Sequence, residues 1–321
     1  MISPMPLATG IFSIWNTASN WRIWVPEYIV THVSRYDYEE TVSLCQNLAL
    51  MEPQDSSIQT VRSFQLQCDP MPAIRERRKD YFGNAVHYFS VEQPHSHIEF
   101  VSTTDLFTED PAPLELASTP PHELVRDQIR RALHPEELEI VQFTLPSRFV
   151  PTGPEFAELA SQDFVPGRPF AEAALALTRR IYQEFSYDSE ATTILTPLHD
   201  VMRIRAGVCQ DFSHIFLAAL RSLGLPCRYV SGYIETYPPP GQPRLQGADA
   251  SHAWVSIYIP GHGWLDLDPT NGKLRTYEYI QAAVGRDYQD VSPLRGVLFG
   301  GGKHRVRVSV DVKRKDEAQP A

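Results

Sequence analysis

The chain has 321 residues, of which 42% are hydrophobic and 21% are charged; this length suggests two domains, and this composition excludes collagen-like, coiled-coil and disordered proteins. Acidic side chains outnumber basic ones by 39 to 29, so the formal net charge is −10. A chain this acidic is a poor match for the phosphates of nucleic acids, which excludes nucleic acid as an expected partner.

The first residues contain neither a basic segment nor a small-residue cleavage site, so the sequence predicts no signal peptide. The longest apolar runs, such as residues 215–220, are far shorter than the roughly 20 residues that span a bilayer, so no membrane partner is expected. The cysteines show no paired spacing, which indicates reduced thiols rather than a disulfide framework. They are Cys45, Cys68, Cys209 and Cys227. We therefore expect a cytoplasmic protein.

Residues 27–107 alternate between apolar and polar side chains and are rich in β-branched and aromatic types, which predicts antiparallel strands. Turn residues at Pro53, Pro70 and Gly83 divide the pattern. Proline then concentrates in residues 110–122, which are predicted as a linker because residues that precede proline favour extended backbone. The chain has 27 prolines against 17 glycines, so we expect short strands, stiff connections and few long helices.

Helical spacing of apolar residues follows the linker, in HELVRDQIRRAL and in RPFAEAALALTRRIYQEF. A further helix is predicted over residues 209–223, ended by Gly224 and Pro226. Three strand-like runs come next, CRYVSGYI, SHAWVSIYI and GWLDLD, and the proline-rich PPPGQP segment between the first two is predicted to be a stiff surface loop. The second half is therefore predicted as α+β. The predicted boundaries are 1–25 for an N-terminal extension, 26–120 for a β domain and 121–321 for an α+β domain that includes a C-terminal strand.

Cys209 is a candidate nucleophile because it stands at the predicted start of a helix. The unpaired N–H groups of the first turn and the positive end of the helix dipole stabilise a thiolate there. The same position also suits a small buried apolar residue, so Cys209 alone does not define a site.

His252 and Asp268 are the candidates to complete a triad with Cys209. His252 lies on the non-aliphatic face of its predicted strand, and Asp268 ends the next one. A loop of two or four residues between these strands would place Asp268 on the face away from His252. A loop of three or five residues centred on Gly261 pairs Trp254 with Asp268, roughly 7–8 Å diagonally from His252. A triad therefore requires the odd loop, and in that register Asp268 is a better partner for His252 than Asp266.

The sequence around these residues resembles the bacterial transglutaminase-like family, which shares a papain-type Cys-His-Asp core. The resemblance lies in RAGVCQDFSHIFLAALRSLGLPCRYVSGYIETYPP, GADASHAWVSIYIPGHGWLDLDPTNGK and VGRDYQDVSPLRGVLFGGG. It extends to THVSRYDYEETVSL and DYFGNAVHYFSVEQPHSHIEFVST, which are similar to the β-rich N-terminal region of many bacterial members. It places the nucleophile on Cys209, the histidine on His252 and the acid on Asp268. The implied architecture is an N-terminal β-sandwich-like domain followed by a transglutaminase-like, papain-like cysteine protease core of α+β class.

The resemblance implies acyl transfer from an amide or isopeptide bond of a peptide or protein substrate. The thiolate attacks the carbonyl, His252 protonates the leaving amine and Asp268 fixes the histidine tautomer. Cysteine peptidase or amidohydrolase activity is favoured, because no site for a lysine donor is evident in this acidic chain. The alternatives are a protein-glutamine transamidase and a non-catalytic peptide-binding module. The sequence leaves the oligomeric state undetermined.

No cofactor or metal is expected. Cys209, His214, Cys227 and His252 do not have the spacing of a zinc motif. The Gly300–Gly302 run lacks the first glycine and the hydroxyl residue of a phosphate-binding loop and is predicted as a turn. No GxSxG sequence and no calcium-loop pattern occurs.

Residues near the motifs are predicted to have structural roles. Trp254 and Trp264 are expected to pack under the site or shield it from water. Cys227 is expected to pack in the core, and Asp211 to stabilise the first helical turn. The Arg-Asp-Tyr sequence at 286–288 is predicted to be an ion-paired corner rather than a substrate contact.

Overall fold

The structure is a computed structural model that describes residues 25–132, 134–236 and 251–315. The predicted extension at 1–25, apart from Val25, and the PPPGQP loop at 238–243 lie outside the described residues. The first five strands are β1 (Glu27–Glu52), β2 (Gln59–Asp69), β3 (Ile74–Lys79), β4 (Ala85–Val91) and β5 (His95–Thr108).

Helices and further strands follow the predicted linker, where residues 109–115 have no regular structure. They are α1 (His122–Arg131), α2 (Pro135–Val141), α3 (Pro154–Ser161), α4 (Phe170–Glu184), β6 (Ser186–Tyr187), α5 (Leu198–Ile204), β7 (Ala206–Gly207), α6 (Cys209–Ser222), β8 (Cys227–Ile234), β9 (Ser251–Ile259), β10 (Gly263–Asp268), β11 (Lys273–Leu274), β12 (Tyr279–Gly285), α7 (Tyr288–Val291), β13 (Leu294–Gly300) and β14 (His304–Arg314). Only α4 and α6, among the helices of the described ranges, exceed ten residues. None of these helices combines the length and the apolar character needed to cross a bilayer.

The first sheet is built around β1, whose alternating apolar residues give one buried side chain in two along much of the strand. The first half of β1 pairs with β5, and the second half pairs with β4, with a register shift between Asp37 and Val42. The sheet curls at this point, so that Leu66 and Phe100 on one half pack with Phe89 on the other in a single apolar cluster. The predicted α+β class with a sandwich-like β region at the N-terminus is confirmed.

The two C-terminal strands, which lie within the predicted 121–321 domain, pair with β1 of the first sheet. In β13, Leu294 pairs with Ala49, and in β14, Arg314 pairs with Tyr28, so together they follow the outer edge of β1. The three glycines at 300–302, all at positive φ, carry the chain past the bend in β1. The pairing of β13 and β14 with β1 has a physical reason. Because β1 is long, its outer edge would otherwise present many unpaired N–H and C=O groups.

The second sheet has the strand order β11-β10-β9-β8-β12 and is entirely antiparallel. Gly263 pairs with Ile259 and Asp266 with Ser256, so the loop between β9 and β10 contains three residues centred on Gly261. The predicted odd-loop register is confirmed. One face of this sheet packs on α6, where Val255 and Leu267 join the buried helix residues in the main core.

Two side-chain amides join the first sheet to β12, which is an edge strand of the second sheet. Gln59 donates to Gln281 O (2.9 Å) and accepts from Gln281 N (2.8 Å). Asn84 donates to Val284 O (2.8 Å) and accepts from Val284 N (2.8 Å). Each side-chain amide therefore makes the two hydrogen bonds to β12 that the backbone of one residue in a neighbouring strand would make.

Candidate active site

Cys209 is the first residue of α6, as predicted from its sequence position. The preceding residues position it: Arg205 ends α5 in the left-handed region at φ 52°, and Val208 is extended before the helix begins. Asp211 Oδ2 accepts hydrogen bonds from Val208 N (2.9 Å) and from the Thr192 hydroxyl (2.7 Å). A Cβ at Gly207 would collide with the Asp211 carboxylate, which explains the glycine there. Asp211 stabilises the first turn, as predicted.

His252 lies between Cys209 and Asp268. Its Nε2 lies 2.8 Å from Asp268 Oδ2, and its ring also interacts electrostatically with the Cys209 sulfur. The structure thus brings all three predicted site residues together. Cys209 is partly exposed, whereas His252 and Asp268 are buried.

Asp268 is held by two residues that the sequence reasoning did not select, Asn271 and Tyr279. Its Oδ2 accepts from Asn271 Nδ2 (2.6 Å) and from the Tyr279 hydroxyl (2.6 Å) in addition to His252. Its Oδ1 accepts from the backbone N–H groups of Thr270 (2.7 Å) and Asn271 (3.2 Å). The proximity of Asn271 to Asp268 in the sequence was a usable signal for an Asx-type turn.

The electrostatics of this cluster favour a charged histidine. Burial by itself lowers the pKa of His252, but the Asp268 carboxylate and then the Cys209 sulfur raise it, to about 10. Burial raises the pKa of Asp268, but His252, Tyr279 and Asn271 together hold it below its ordinary value. The arrangement is that of an imidazolium between a carboxylate and a sulfur.

Asp266 is turned to a different partner. Its Oδ2 lies 3.3 Å from Arg275 Nη1 and accepts from Trp254 Nε1 at 3.3 Å. Trp254 is fully buried and nearly parallel to the His252 ring, 6.2 Å away, so it packs under the site. Asp268, and not Asp266, therefore contacts His252.

The other residues near the motifs have structural contacts. Cys227 is fully buried in the core, and the four cysteines are free. Arg286 pairs with Asp290 (2.8 Å), and Asp287 caps α7, which makes residues 286–288 an ion-paired corner as predicted. His214 accepts from Tyr288 N at 3.2 Å. Among the described residues, no group of metal-ligating side chains could hold an ion.

A cysteine at the start of a helix, with the helix packed on an antiparallel sheet that carries the histidine and the acid, defines a papain-like fold. Residues 28–106 match the bacterial transglutaminase-like N-terminal region, and residues 160–269 match the transglutaminase-like superfamily. The chain belongs to the transglutaminase-like superfamily and carries the bacterial N-terminal region of that family.

Three similar proteins illustrate the range of relatives. An uncharacterised protein of Mycobacterium tuberculosis is 39% identical over 290 residues, covering 89% of this chain and 92% of the relative. A protein-glutamine gamma-glutamyltransferase of Pseudomonas aeruginosa is 31% identical over 103 residues, covering 30% of this chain and 15% of that protein. The crystal structure of a candidate cysteine protease from Cytophaga hutchinsonii superposes with a TM-score of 0.69 at 21% identity, covering 92% and 93% of the two chains. The last comparison supports the fold alone.

Proposed function

We propose that this protein is a thiol-dependent enzyme that cleaves amide or isopeptide bonds of a peptide or protein substrate. Cys209 is the nucleophile, His252 the general acid and base, and Asp268 the residue that orients the imidazole. The observation that carries the proposal is His252, which is buried, hydrogen-bonded to Asp268 and close enough to Cys209, at the start of α6, to interact with its sulfur.

The reaction begins when the Cys209 thiolate attacks the carbonyl carbon of the substrate. The N–H groups in the first turn of α6 have no intrahelical acceptor, so the backbone N–H of Cys209 is a suitable donor to the oxyanion. His252 then gives its proton to the leaving nitrogen, the C–N bond breaks and a thioester remains on Cys209. In the second step neutral His252 accepts a proton from water as the water oxygen attacks the thioester carbonyl. The C–S bond then breaks, the acid is released, and the Cys209 thiolate and the His252 imidazolium are restored.

Transamidation is the second candidate reaction, in which a primary amine replaces water in the second step. The local similarity to the Pseudomonas protein-glutamine gamma-glutamyltransferase favours it. We favour hydrolysis, because water can reach the partly exposed Cys209 without a binding site of its own, whereas an amine donor requires one.

The first experiment measures the rate at which iodoacetamide alkylates each cysteine. Cys209 is expected to react fastest near pH 6, because it is partly exposed and stands at the start of α6 beside His252. Cys68 is the matched control: it is also partly exposed, but burial, aided by nearby negative groups, raises its pKa to about 12. His252→Ala should slow the labelling of Cys209 by roughly 10- to 100-fold at pH 6, whereas His199→Ala, at an exposed histidine on α5, should not.

Equal labelling of Cys209 and Cys68, with no effect of His252→Ala, would leave a peptide-binding module as the better interpretation.

The second experiment identifies the bond and the acceptor. The full-length protein is incubated with a peptide library, and the acyl group trapped on Cys209 is identified by mass spectrometry. Cys209→Ala serves as the unreactive control. With a primary amine present, release of the free acid supports hydrolysis, and release of the amide of the added amine supports transamidation. Absence of any acyl adduct would contradict both.

The cytoplasmic location is also a proposal, and the four free cysteines support it because they suit a reducing compartment. Cell fractionation of the native host tests it, and recovery in the periplasm or the membrane fraction would contradict it.

A further inference from the structure

A cavity of about 190 Å³ lies between the first sheet and the core, away from Cys209. Its walls include the aromatic side chains of Phe82, Phe143 and Trp264, and its polar lining comes from Arg228, Gln142 and Glu139. We call it the Arg228 cavity. Phe143 meets the Trp264 ring edge to face at 5.3 Å, so the walls are packed and preformed.

Arg228 is the notable residue of this cavity, because it is partly exposed and forms no direct ion pair among the described residues, although the Asp266 carboxylate interacts with its charge. Its guanidinium lies 4.0 Å from the centre of the Trp264 ring, and its Nε is buried without a hydrogen-bond partner. A buried N–H group normally has a hydrogen-bond acceptor, which Nε of Arg228 lacks, and the two terminal nitrogens are not among the buried unpaired atoms. The terminal nitrogens of Arg228 are therefore open to a ligand.

The nearby carboxylate is already used. Asp266 pairs with Arg275 at 3.3 Å, and both side chains are buried. Arg228 and Arg275 carry two positive charges and Asp266 carries one negative charge, so one positive charge remains in excess beside the cavity. Burial lowers the pKa of Arg228, with Asp266 opposing this effect, to about 10, so the side chain stays charged at neutral pH.

The position of Arg228 separates it from the triad. Arg228 pairs with Ser256, four residues along β9 from His252, which corresponds to roughly 13 Å. The buried Trp254 side chain lies between them on the same face of β9. A ligand in the Arg228 cavity therefore need not contact Cys209.

We propose that the Arg228 cavity binds a carboxylate attached to a small apolar or aromatic group. Arg228 holds the carboxylate through its two terminal nitrogens, and the aromatic walls contact the apolar part. The size of the cavity limits the ligand to a short group. Exposed Glu139 on its lining disfavours ligands with several negative charges. The carboxylate can come from a free small acid or from the C-terminus of a peptide.

The test is isothermal titration calorimetry on the full-length protein. The probes are phenylacetate and a dipeptide with a C-terminal phenylalanine, each compared with its uncharged amide. At least one carboxylate should bind, about tenfold or more tightly than its amide, because the charge-assisted bonds are lost in the amide. Binding of phenylacetate alone assigns the site to a free acid, and binding of the dipeptide alone assigns it to a peptide C-terminus.

Two variants assign the binding to this cavity. Arg228→Met removes the charge and should weaken carboxylate binding about tenfold or more. Gln142→Glu adds a carboxylate to the exposed rim of the cavity and should also weaken carboxylate binding. Because this change does not disturb the core, it remains a test if Arg228→Met fails to fold. Arg203→Met, at an exposed arginine on α5, is the control and should bind normally. The proposal is overturned if neither carboxylate binds the unmodified protein, or if the folded cavity variants bind as well as it does.

Discussion

Asp268 illustrates how a single buried carboxylate is kept charged. It is fully buried, yet it receives five hydrogen bonds from His252, the Tyr279 hydroxyl, the Asn271 side chain and two backbone N–H groups. These donors compensate for the lost hydration of the charge and bring its pKa below the ordinary value. The charge of Asp268 in turn maintains the imidazolium of His252.

Tyr279→Phe tests this role of the tyrosine hydroxyl at the residue scale. Loss of one hydrogen bond to the charged carboxylate should raise the pKa of Asp268 and reduce kcat/KM by roughly 3- to 10-fold, the equivalent of about 1 kcal/mol. The measurement is the pH dependence of Cys209 alkylation. Its acidic limb should move to higher pH in the variant, because Asp268 is protonated more easily without the tyrosine hydroxyl.

The matched control is Tyr233→Phe, because the Tyr233 hydroxyl bonds to His32 (3.0 Å) at a buried site between the sheets. Tyr233→Phe should change the free energy of unfolding but leave the pH dependence of Cys209 alkylation unchanged. A shifted profile in Tyr233→Phe, or none in Tyr279→Phe, would contradict the role of Tyr279.

The sequence proposed Cys209 from its position at a helix start, and His252 and Asp268 from strand alternation on the condition of an odd loop, and the family resemblance implied the same three residues. Tyr279 could not be selected in the same way. It reaches Asp268 from β12, which β8 and β9 separate from β10 in the sheet. That order is set by tertiary packing, which local patterns do not encode.

At the scale of elements, the edge of β12 is satisfied by side chains rather than by another strand. The amides of Gln59 and Asn84 each donate and accept one hydrogen bond with its backbone. A side-chain amide can do this because it carries both a donor and an acceptor in one plane. The arrangement protects an edge strand from pairing with another molecule.

Gln59→Glu should destabilise the protein by about 1–3 kcal/mol at pH 7. The carboxylate would lose the donor and face two carbonyl oxygens, those of Gln54 and Gln281, to which Gln59 now donates at 2.9 Å. Chemical denaturation measures the change, with Gln65→Glu on the exposed side of β2 as the control. The loss should shrink near pH 4, where a protonated carboxyl can donate again; a loss that does not depend on pH would contradict this account.

The Gly83-Asn84 turn was recognised from the sequence, but its contact with β12 was not. Turn chemistry is local, whereas the docking of that turn against another sheet depends on the whole fold. The same reason explains why the linker at 110–122 was located and the return of the C-terminal strands to β1 was missed.

At the scale of the whole molecule, the helical core is an insertion in the first sheet. Strands β13 and β14 complete the outer edge of β1 after the chain has passed through the second sheet. Buried Val310 and Val312 of β14 pack with Tyr233 and Ile280 of the second sheet, so the two regions share apolar contacts as well as covalent connections. They are expected to unfold together.

Val312→Ala should lower the free energy of unfolding by about 1.5–3 kcal/mol, because a fully buried valine side chain is truncated. Val308→Ala, on the same face of the same strand but 55% exposed, is the control and should change it little. Calorimetry and far-ultraviolet circular dichroism should show one common transition in both variants. Two separated transitions would mean that the sheet and the core are independent.

The pairing of residues 28–38 with residues 304–314 also has a consequence for biosynthesis. During translation the first half of β1 emerges early, but its outer neighbour is the last strand described in the chain. At about 5–20 residues per second, this edge stays open for most of the time that the ribosome needs to make the protein. Until residue 314 has left the ribosome, the nascent chain must therefore avoid pairing the open edge of β1 with strands of other molecules. The charged and polar side chains at residues 35–41 lie where such pairing would begin.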